Sequence, residues 1–219
     1  MFKLIQKGIQ AISSYKNLTS KQATSIMQEI LSGATTQAQT SAFITALKMK
    51  GETIEEITAF AQVLKENGIS IKPNIKKKII DTCGTGGDIA QTFNISTCTA
   101  FVLAGSGICV AKHGNRSATS NCGSADLLEG FGLKLNTDSK QIEKSIEEIG
   151  IGFLYAPIFH PTMKYVAPIR KEIGMRTVFN ILGPLINPAN VKQQIMGVYN
   201  EKLVEQIIYV LKNLELENA

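Results

Sequence analysis

The pattern of apolar residues changes near residue 75, and this change constrains the fold more than any other feature. Before it, apolar residues recur every three or four positions, as in amphipathic helices. After it, short apolar strands such as KII, ICVA and IGFLY alternate with helical segments. Strands that alternate with helices form a largely parallel sheet. The sequence therefore predicts an α/β fold: a small N-terminal helical domain, residues 1–70, and a mostly parallel α/β domain, residues 75–219, with part of 160–190 packing on the helical domain.

Capping patterns predict where the helices of the first domain begin. A threonine followed three residues later by Gln or Glu can form a reciprocal capping box, and this pattern starts at Thr19, Thr36 and Thr53. The helices are expected to end at Gly33, Gly51 and Asn67–Gly68. Their apolar stripes are interpreted as core.

Composition limits the classes of function. The chain has 219 residues, of which 44% are hydrophobic, and a net charge of +5, which favours an anionic ligand only weakly. Trp is absent and Tyr is scarce, so we expect no nucleic-acid surface of interleaved basic and aromatic residues. The chain has two histidines and four cysteines, Cys83, Cys98, Cys109 and Cys122, none of them in a C-x-x-C pair, so we expect no zinc site.

The chain also has no pattern that directs it to a membrane or out of the cell. Lysines interrupt the N-terminal apolar residues, unlike the core of a signal peptide, and no apolar run is long enough to span a bilayer. We therefore expect a cytoplasmic protein with reduced cysteines.

Three polar segments follow three predicted strands. They are GTGGD, KHGNRSATSNCGSAD and HPTMKYVAPIR. Because the carboxyl ends of parallel strands meet at one edge of the sheet, these segments are expected to form a ligand pocket there.

The first segment places three glycines among the four residues Gly84–Gly87, followed by Asp88. It lacks the Gly-Lys-Ser/Thr ending of a Walker A loop and the third glycine of a dinucleotide fingerprint. Glycines still let backbone N–H groups approach a phosphate closely, and Asp88 suits a sugar hydroxyl or a metal-bound water. The alternative, a tight turn with a capping aspartate, stays open at this point.

Two further segments suit an anion. Asn94, Ser96 and Thr97 open a predicted helix, where hydroxyl and free N–H groups suit a phosphate or hydrated Mg²⁺; ordinary helix capping is the alternative. KHGNRSATS, residues 112–120, is the densest anion-binding segment of the chain, although His113 alone is more typical of a structural hydrogen bond than of catalysis.

These segments together resemble a known family. DTCGTGGD, FNIST, AKHGNRSATSNCGSADLLEGFG and HPTMKYVAPIRKEIGMRTVFNILGPLINPA are similar to the anthranilate phosphoribosyltransferases of tryptophan biosynthesis, and the resemblance covers essentially all 219 residues. The related pyrimidine nucleoside phosphorylases share the glycine loop and the layout but have a different lysine loop. The resemblance implies a transferase that moves the phosphoribosyl group of phosphoribosyl pyrophosphate to the amine of anthranilate.

The resemblance also implies roles for individual residues. For phosphoribosyl pyrophosphate they are Gly84, Gly87, Asp88, Thr92, Asn94, Ile95, Ser96, Thr97, Lys112, His113, Gly114, Asn115, Arg116, Ser117, Ala118, Thr119, Ser120 and Ser124. For anthranilate they are Gly84, Asn115 and Arg170, with His113 and His160 along the acceptor's path. Ser96 is the implied Mg²⁺ ligand, and no residue is assigned as a strong catalytic base.

Two more expectations come from the resemblance. The family implies a homodimer through the helical domain. Its chains also continue beyond the position of Ala219, so the α/β domain is expected to be incomplete here and the acidic pair that binds Mg²⁺ to be absent. The alternative function is a truncated or diverged homologue that binds phosphoribosyl pyrophosphate or nucleic acid without turnover.

Overall fold

The computed structural model describes residues 4–86, 92–117 and 122–219. Its strands are β1 (Ile79–Gly84), β2 (Cys109–Gly114), β3 (Ile151–Tyr155) and β4 (Gln193–Gly197). Its α-helices are α1 (Leu4–Ser13), α2 (Ser20–Leu31), α3 (Gln37–Lys50), α4 (Ile54–Glu66), α5 (Ile95–Gly105), α6 (Ser124–Gly130), α7 (Ser139–Ile149), α8 (Ala156–Phe159), α9 (Ala167–Ile173), α10 (Val178–Leu182) and α11 (Val204–Asn213).

The strands form a parallel sheet in the order β3-β2-β1-β4. Gly84 pairs with Gly197 and Gly114 pairs with Tyr155, so all four strands end at the same edge. The predicted fold class, helices followed by a parallel α/β unit, is confirmed. β1 is longer than predicted, because hydrogen bonding to β4 continues through Asp81–Gly84, which the sequence placed in a loop.

The three predicted capping boxes are confirmed. Each helix from α2 to α4 begins after a threonine whose side chain accepts from the backbone N–H three residues on, while the Gln or Glu there accepts from the threonine N–H. Glu56 has a further role, since it is fully buried and also accepts from Leu18 N at 2.8 Å and from Lys50 Nζ at 3.0 Å. This carboxylate therefore ties α4 to the entrance of α2 and the end of α3.

The larger hydrophobic core lies among the N-terminal helices. It also takes buried side chains from residues 166–186 and from α11, including Val178, Ile207 and Val210. A second core, which contains Ile71, Ala111, Ile146, Leu154 and Phe159, lies where α7 packs on β2 and β3. None of the helices in the described part of the chain is long and apolar enough to cross a membrane.

The connection between the helices and the sheet is held by backbone hydrogen bonds. Ile69 N donates to Phe159 O at 2.8 Å, and Ile71 N donates to Pro188 O at 3.0 Å. The backbone N–H groups of Lys72 and Asn74 then donate to glutamates of α7. This segment brings the end of α4 beside His160, which follows α8.

Candidate functional site

A buried carboxylate lies in the middle of β1. Asp81 is 0% exposed, its Oδ1 accepts from His113 N at 3.1 Å, and its Oδ2 accepts from Gln194 Nε2 at 3.4 Å. Burial raises the pKa of Asp81, against the opposing effects of these hydrogen bonds and of the Lys112 charge. Sequence reasoning missed this residue and Gln194. The available sequence signal was a single acid directly after the apolar residues of β1.

Lys112 lies in β2 and is only 3% exposed. Its ammonium donates to Thr82 O at 2.6 Å and to Ser96 Oγ at 3.2 Å. Burial lowers the pKa of Lys112, while the nearby Asp81 opposes that shift. Within the described residues the ammonium forms no ion pair with a carboxylate. The lysine therefore supplies positive charge directly beneath the first turn of α5.

The first turn of α5 supplies the second part of the site. Asn94 at its N-cap makes no side-chain capping bond; its amide instead donates to Gly123 O at 3.4 Å. Ordinary capping by Asn94, the alternative weighed from the sequence, is therefore not observed. Ser96 is half-buried, and Thr97 is buried with no hydrogen-bond partner for its Oγ1 among the described residues. Thr92 and Ile95 are exposed beside them.

The residues after β2 form the base of a loop that leads to α6. Asn115 is exposed, its backbone oxygen accepts from Ala125 N at 3.2 Å and Ser124 Oγ at 3.3 Å, and its side chain accepts from Arg116 N. A Cβ on Gly123 would lie 2.3 Å from Ser117 N, so only glycine allows the two ends of the loop to approach this closely.

Arg116, predicted to bind an anionic substrate, is held by carboxylates of α6. Its guanidinium donates twice to Glu129, at 2.7 and 2.9 Å, and once to Asp126 at 3.0 Å. Asp126 also accepts from the N–H groups of Ser117 and Gly123, and these bonds lower the pKa of Asp126. In this structure the charge of Arg116 is thus already paired.

His113 and His160 meet on the other side of β2. Their ring centroids are 5.2 Å apart, edge to face, and both side chains are buried. His113 Nδ1 lies 3.1 Å from Gly183 O, and its Nε2 has no partner among the described residues. Burial lowers the pKa of His113 to about 3 and that of His160 to about 4, so both imidazoles are neutral at physiological pH.

Arg170 lies on α9, and its guanidinium carbon is 5.7 Å from the centre of the Phe179 ring. Burial lowers the pKa of this guanidinium, yet no carboxylate of the described residues pairs with it. Phe179 and Gly183 belong to one continuous segment, which therefore touches both Arg170 and His113. A half-buried guanidinium without an anion suits a carboxylate ligand.

The structure brings most of the predicted residues to one edge of the sheet. Gly84 and Gly114 end their strands there, and the starts of α5 and α6 are joined through Asn94 and Gly123. The remaining predicted residues lie outside the described part of the chain: Gly87, Asp88, Ala118, Thr119 and Ser120.

The described residues do not by themselves fit a divalent cation. They contain no group of three or more His, Cys, Asp or Glu side chains that could hold a metal ion. Ser96, the predicted Mg²⁺ ligand, offers one neutral oxygen that already accepts from the Lys112 ammonium. This arrangement is better suited to a phosphate oxygen, because Mg²⁺ in proteins is held mainly by carboxylates, substrate phosphates and water.

Comparison with known proteins agrees with the architecture. Residues 3–68 match the model of a glycosyl transferase family, helical bundle domain, and residues 76–219 match that of the glycosyl transferase family, a/b domain. The chain is 50% identical over 98% of its length to an anthranilate phosphoribosyltransferase of Chloroflexus aurantiacus, and 51% identical over 99% to one of Acetivibrio thermocellus. It spans 63% and 62% of these two relatives, respectively.

Solved structures with the same name are similar in fold. The anthranilate phosphoribosyltransferase from Thermus thermophilus matches with a TM-score of 0.89 and 38% identity, over 97% of this chain and 63% of that one. The Saccharomyces cerevisiae enzyme in complex with PRPP and Mg also matches with a TM-score of 0.89, at 30% identity, over 98% of this chain and 64% of that one.

Proposed function

Because the chain belongs to the glycosyl transferase family defined by this helical bundle and a/b domain, we propose that it acts as an anthranilate phosphoribosyltransferase. The reaction would join anthranilate to the phosphoribosyl group of phosphoribosyl pyrophosphate and release pyrophosphate, a step of tryptophan biosynthesis. The observation that carries the proposal is the edge where the α5 N-terminus, Ser96 and Lys112 meet. It combines N–H donors, a hydroxyl and a buried cation, in a chain about half identical to enzymes of that name.

On the phosphate side, the chain's own groups would bind and orient an anion. The first turn of α5 offers backbone N–H groups and the helix dipole, and Ser96 offers its hydroxyl. Lys112 places positive charge beneath Ser96, where it would offset charge that develops on the leaving diphosphate. Positioning and electrostatic stabilisation are the main contributions expected from these residues.

On the acceptor side, Arg170 would bind the carboxylate of anthranilate through its planar fork. The amine nitrogen would then attack C1 of the ribose, the bond from C1 to the diphosphate oxygen would break with inversion and release pyrophosphate, and the amine proton would pass to solvent. His113 and His160 would line the acceptor's path as neutral imidazoles. The exposed amide of Asn115 is the further acceptor contact in this proposal.

We propose that Mg²⁺ binds together with the substrate. The yeast structure described above contains PRPP and Mg, and a yeast variant structure has Mg bound. When bound, Mg²⁺ would neutralise the diphosphate. Since the described residues do not fit a protein-only cation site, the ion would enter on the diphosphate itself.

We also propose a cytoplasmic homodimer. Among the described residues, Cys83, Cys98 and Cys109 form no disulfide, as in reducing compartments. Apolar side chains that are more than half exposed occur on the helical part, at Leu4, Tyr15 and Met49, and burying them between two copies of the chain would be favourable. Sedimentation equilibrium tests this, and a monomer at micromolar concentration would contradict it.

Arg170→Lys tests the proposed activity and the acceptor site together. Loss of anthranilate fluorescence, in excess Mg²⁺ and phosphoribosyl pyrophosphate, measures turnover. Because an ammonium cannot reproduce the bidentate contact, the variant should raise the KM for anthranilate by about tenfold or more. The KM for phosphoribosyl pyrophosphate should change little.

The control is Lys171→Ala, which removes an exposed cation from the next position of α9. It should leave both KM values unchanged. Equal weakening for both substrates in Arg170→Lys would show that Arg170 is structural. Binding of phosphoribosyl pyrophosphate by the wild-type protein without turnover would favour the alternative of a binding homologue.

A further inference from the structure

We propose that Thr82 is a positioning residue of this site, which fixes Ser96 and Lys112 from beneath without touching a substrate. Where it concerns the binding of phosphoribosyl pyrophosphate, this inference rests on the proposed function. Thr82 is 1% exposed in the interior of β1, so a bound ligand cannot reach its side chain.

Thr82 contributes two of the three hydrogen bonds that form a closed ring. Its Oγ1 donates to Ser96 O at 2.8 Å, and its backbone oxygen accepts from Lys112 Nζ at 2.6 Å. The same ammonium donates to Ser96 Oγ at 3.2 Å, which closes the ring. One residue of β1 therefore connects the first turn of α5 to the charged end of a β2 side chain.

The ring matters because the first turn of α5 has no side-chain cap. The Asn94 side chain makes no capping hydrogen bond to the helix, so two side chains of the sheet, Thr82 and Lys112, hold Ser96 in place. Helix termini without caps are prone to fray. The Thr82 hydroxyl donates to a backbone carbonyl of this turn, so it anchors the turn to the sheet and leaves the N–H groups of the turn available to a ligand.

The ring also orients the Ser96 hydroxyl. The Lys112 proton occupies one lone pair of Ser96 Oγ, which leaves the hydroxyl proton free to point away from the ammonium. A hydroxyl that donates outward, with a cation behind it, is suited to a phosphate oxygen. If Ser96 moves with the first turn, both the donor direction and the distance to the ammonium change.

Two variants separate the hydroxyl from the shape of the side chain. Thr82→Val removes the hydroxyl and keeps the volume, whereas Thr82→Ser keeps the hydroxyl and removes a methyl group. Titration calorimetry with phosphoribosyl pyrophosphate and Mg²⁺ should show Thr82→Val weakened by roughly three- to tenfold, the effect of one ordinary hydrogen bond. Thr82→Ser should stay within about twofold of wild type, and the KM for anthranilate should change in neither.

A purely structural role predicts a different order. Removing a buried methyl group leaves a small cavity, so affinity would then follow the melting temperature and Thr82→Ser would also bind weakly. Unchanged affinity in Thr82→Val, or equal loss in both variants, would overturn the inference.

Hydrogen–deuterium exchange keeps this test separate from the proposed function. Without ligand, the amides of residues 95–98 should exchange faster in Thr82→Val than in wild type and Thr82→Ser, while those of α7 stay unchanged. A wild-type protein that binds no phosphoribosyl pyrophosphate would contradict the proposed function alone. Unchanged exchange in the first turn of α5 would contradict the role of Thr82.

Discussion

At the residue scale, burial of Glu52 makes its ionised form less favourable. It lies between α3 and α4, and its Oε1 is buried with no hydrogen-bond partner among the described residues. Burial raises the pKa of this carboxyl, while Lys48 and Lys50 partly oppose the shift. The folded protein therefore binds this proton more tightly than the unfolded chain does. Since a raised carboxyl pKa makes the folded state bind more protons, the free energy of unfolding falls as pH rises above 4.5.

Glu52→Gln should remove this dependence. The neutral amide avoids the cost of a buried charge, so we expect the melting temperature to rise by about 2 °C at neutral pH, and by less as pH falls below the ordinary glutamate pKa. Thermal unfolding of wild type and variant, from neutral pH to below the ordinary glutamate pKa, measures this difference in melting temperature. Glu55→Gln, at an exposed position of the same turn, should show no such gain. A larger gain at low pH than at neutral pH would contradict the assigned sign.

Sequence reasoning found the polar residues that face the open edge of the sheet, and the buried Lys112 and His113, but missed Asp81, Thr82 and Gln194 beneath that edge. Ser96 and Asn115 stood out because they follow strands or begin a helix. The buried role of Thr82 and the contacts of Asp81 depend on Lys112, His113 and Gln194, which are distant in the chain. Such contacts are set by strand order and register, which local patterns do not contain.

At the element scale, local signals predicted helices well because the capping boxes are formed within four residues. The end of β1 was predicted less well. Glycine usually interrupts a strand, but Gly84 stays in the ladder because it pairs with Gly197 of β4. A Cβ on Gly84 would lie 3.3 Å from Gly197 O, so close approach between strands explains this glycine.

The element that follows β2 gives a prediction of its own. Asp126 of α6 accepts from Ser117 N at 2.9 Å and from Gly123 N at 2.8 Å, so one carboxylate holds both described ends of the loop. Asp126→Asn removes one acceptor oxygen and the charge, so it should weaken the hydrogen bonds that hold the two described ends of the loop together. Because this loop is part of the proposed anion site, affinity for phosphoribosyl pyrophosphate should fall by roughly tenfold in titration calorimetry.

Glu129→Gln is the matched control for the loop. It disturbs the other partner of Arg116 but leaves the bonds to Ser117 and Gly123 in place. It should not reduce affinity, because it leaves Arg116 freer to meet an anion. Equal losses in both variants would show that the pairing of Arg116, and not the base of the loop, controls binding.

At the scale of the whole molecule, the two parts share more structure than the sequence predicted. The parallel sheet followed from the alternation of strands and helices. The sequence did not predict that α11 packs into the core of the N-terminal helices. The apolar stripe of an amphipathic helix shows which face is buried, but it does not show which element covers that face. Gln206 of α11 reinforces this contact by donating to Glu52 O.

Gly68 lies where the N-terminal helices contact the pair of histidines, His113 and His160. It follows α4, and a Cβ there would lie 2.9 Å from His160 Nδ1 and 3.2 Å from Phe159 O. His160 is 4% exposed and packs edge to face on His113, so it has little room to move away. Gly68→Ala should therefore displace His160, lower the free energy of unfolding by about 1–3 kcal/mol and raise the KM for anthranilate more than that for phosphoribosyl pyrophosphate.

Because the chain has only two histidines, their imidazole NMR signals report this displacement directly. Both signals should shift in Gly68→Ala, and denaturant unfolding measures the loss of stability. Gly105→Ala is the control, since a Cβ at the end of α5 would meet no atom within 4 Å. If the histidine signals shift while the KM for anthranilate stays unchanged, the pair does not line the acceptor's path. Gly68→Ala displaces His160 but does not reach α9, so the acceptor site would then be formed by Arg170 without the histidine pair.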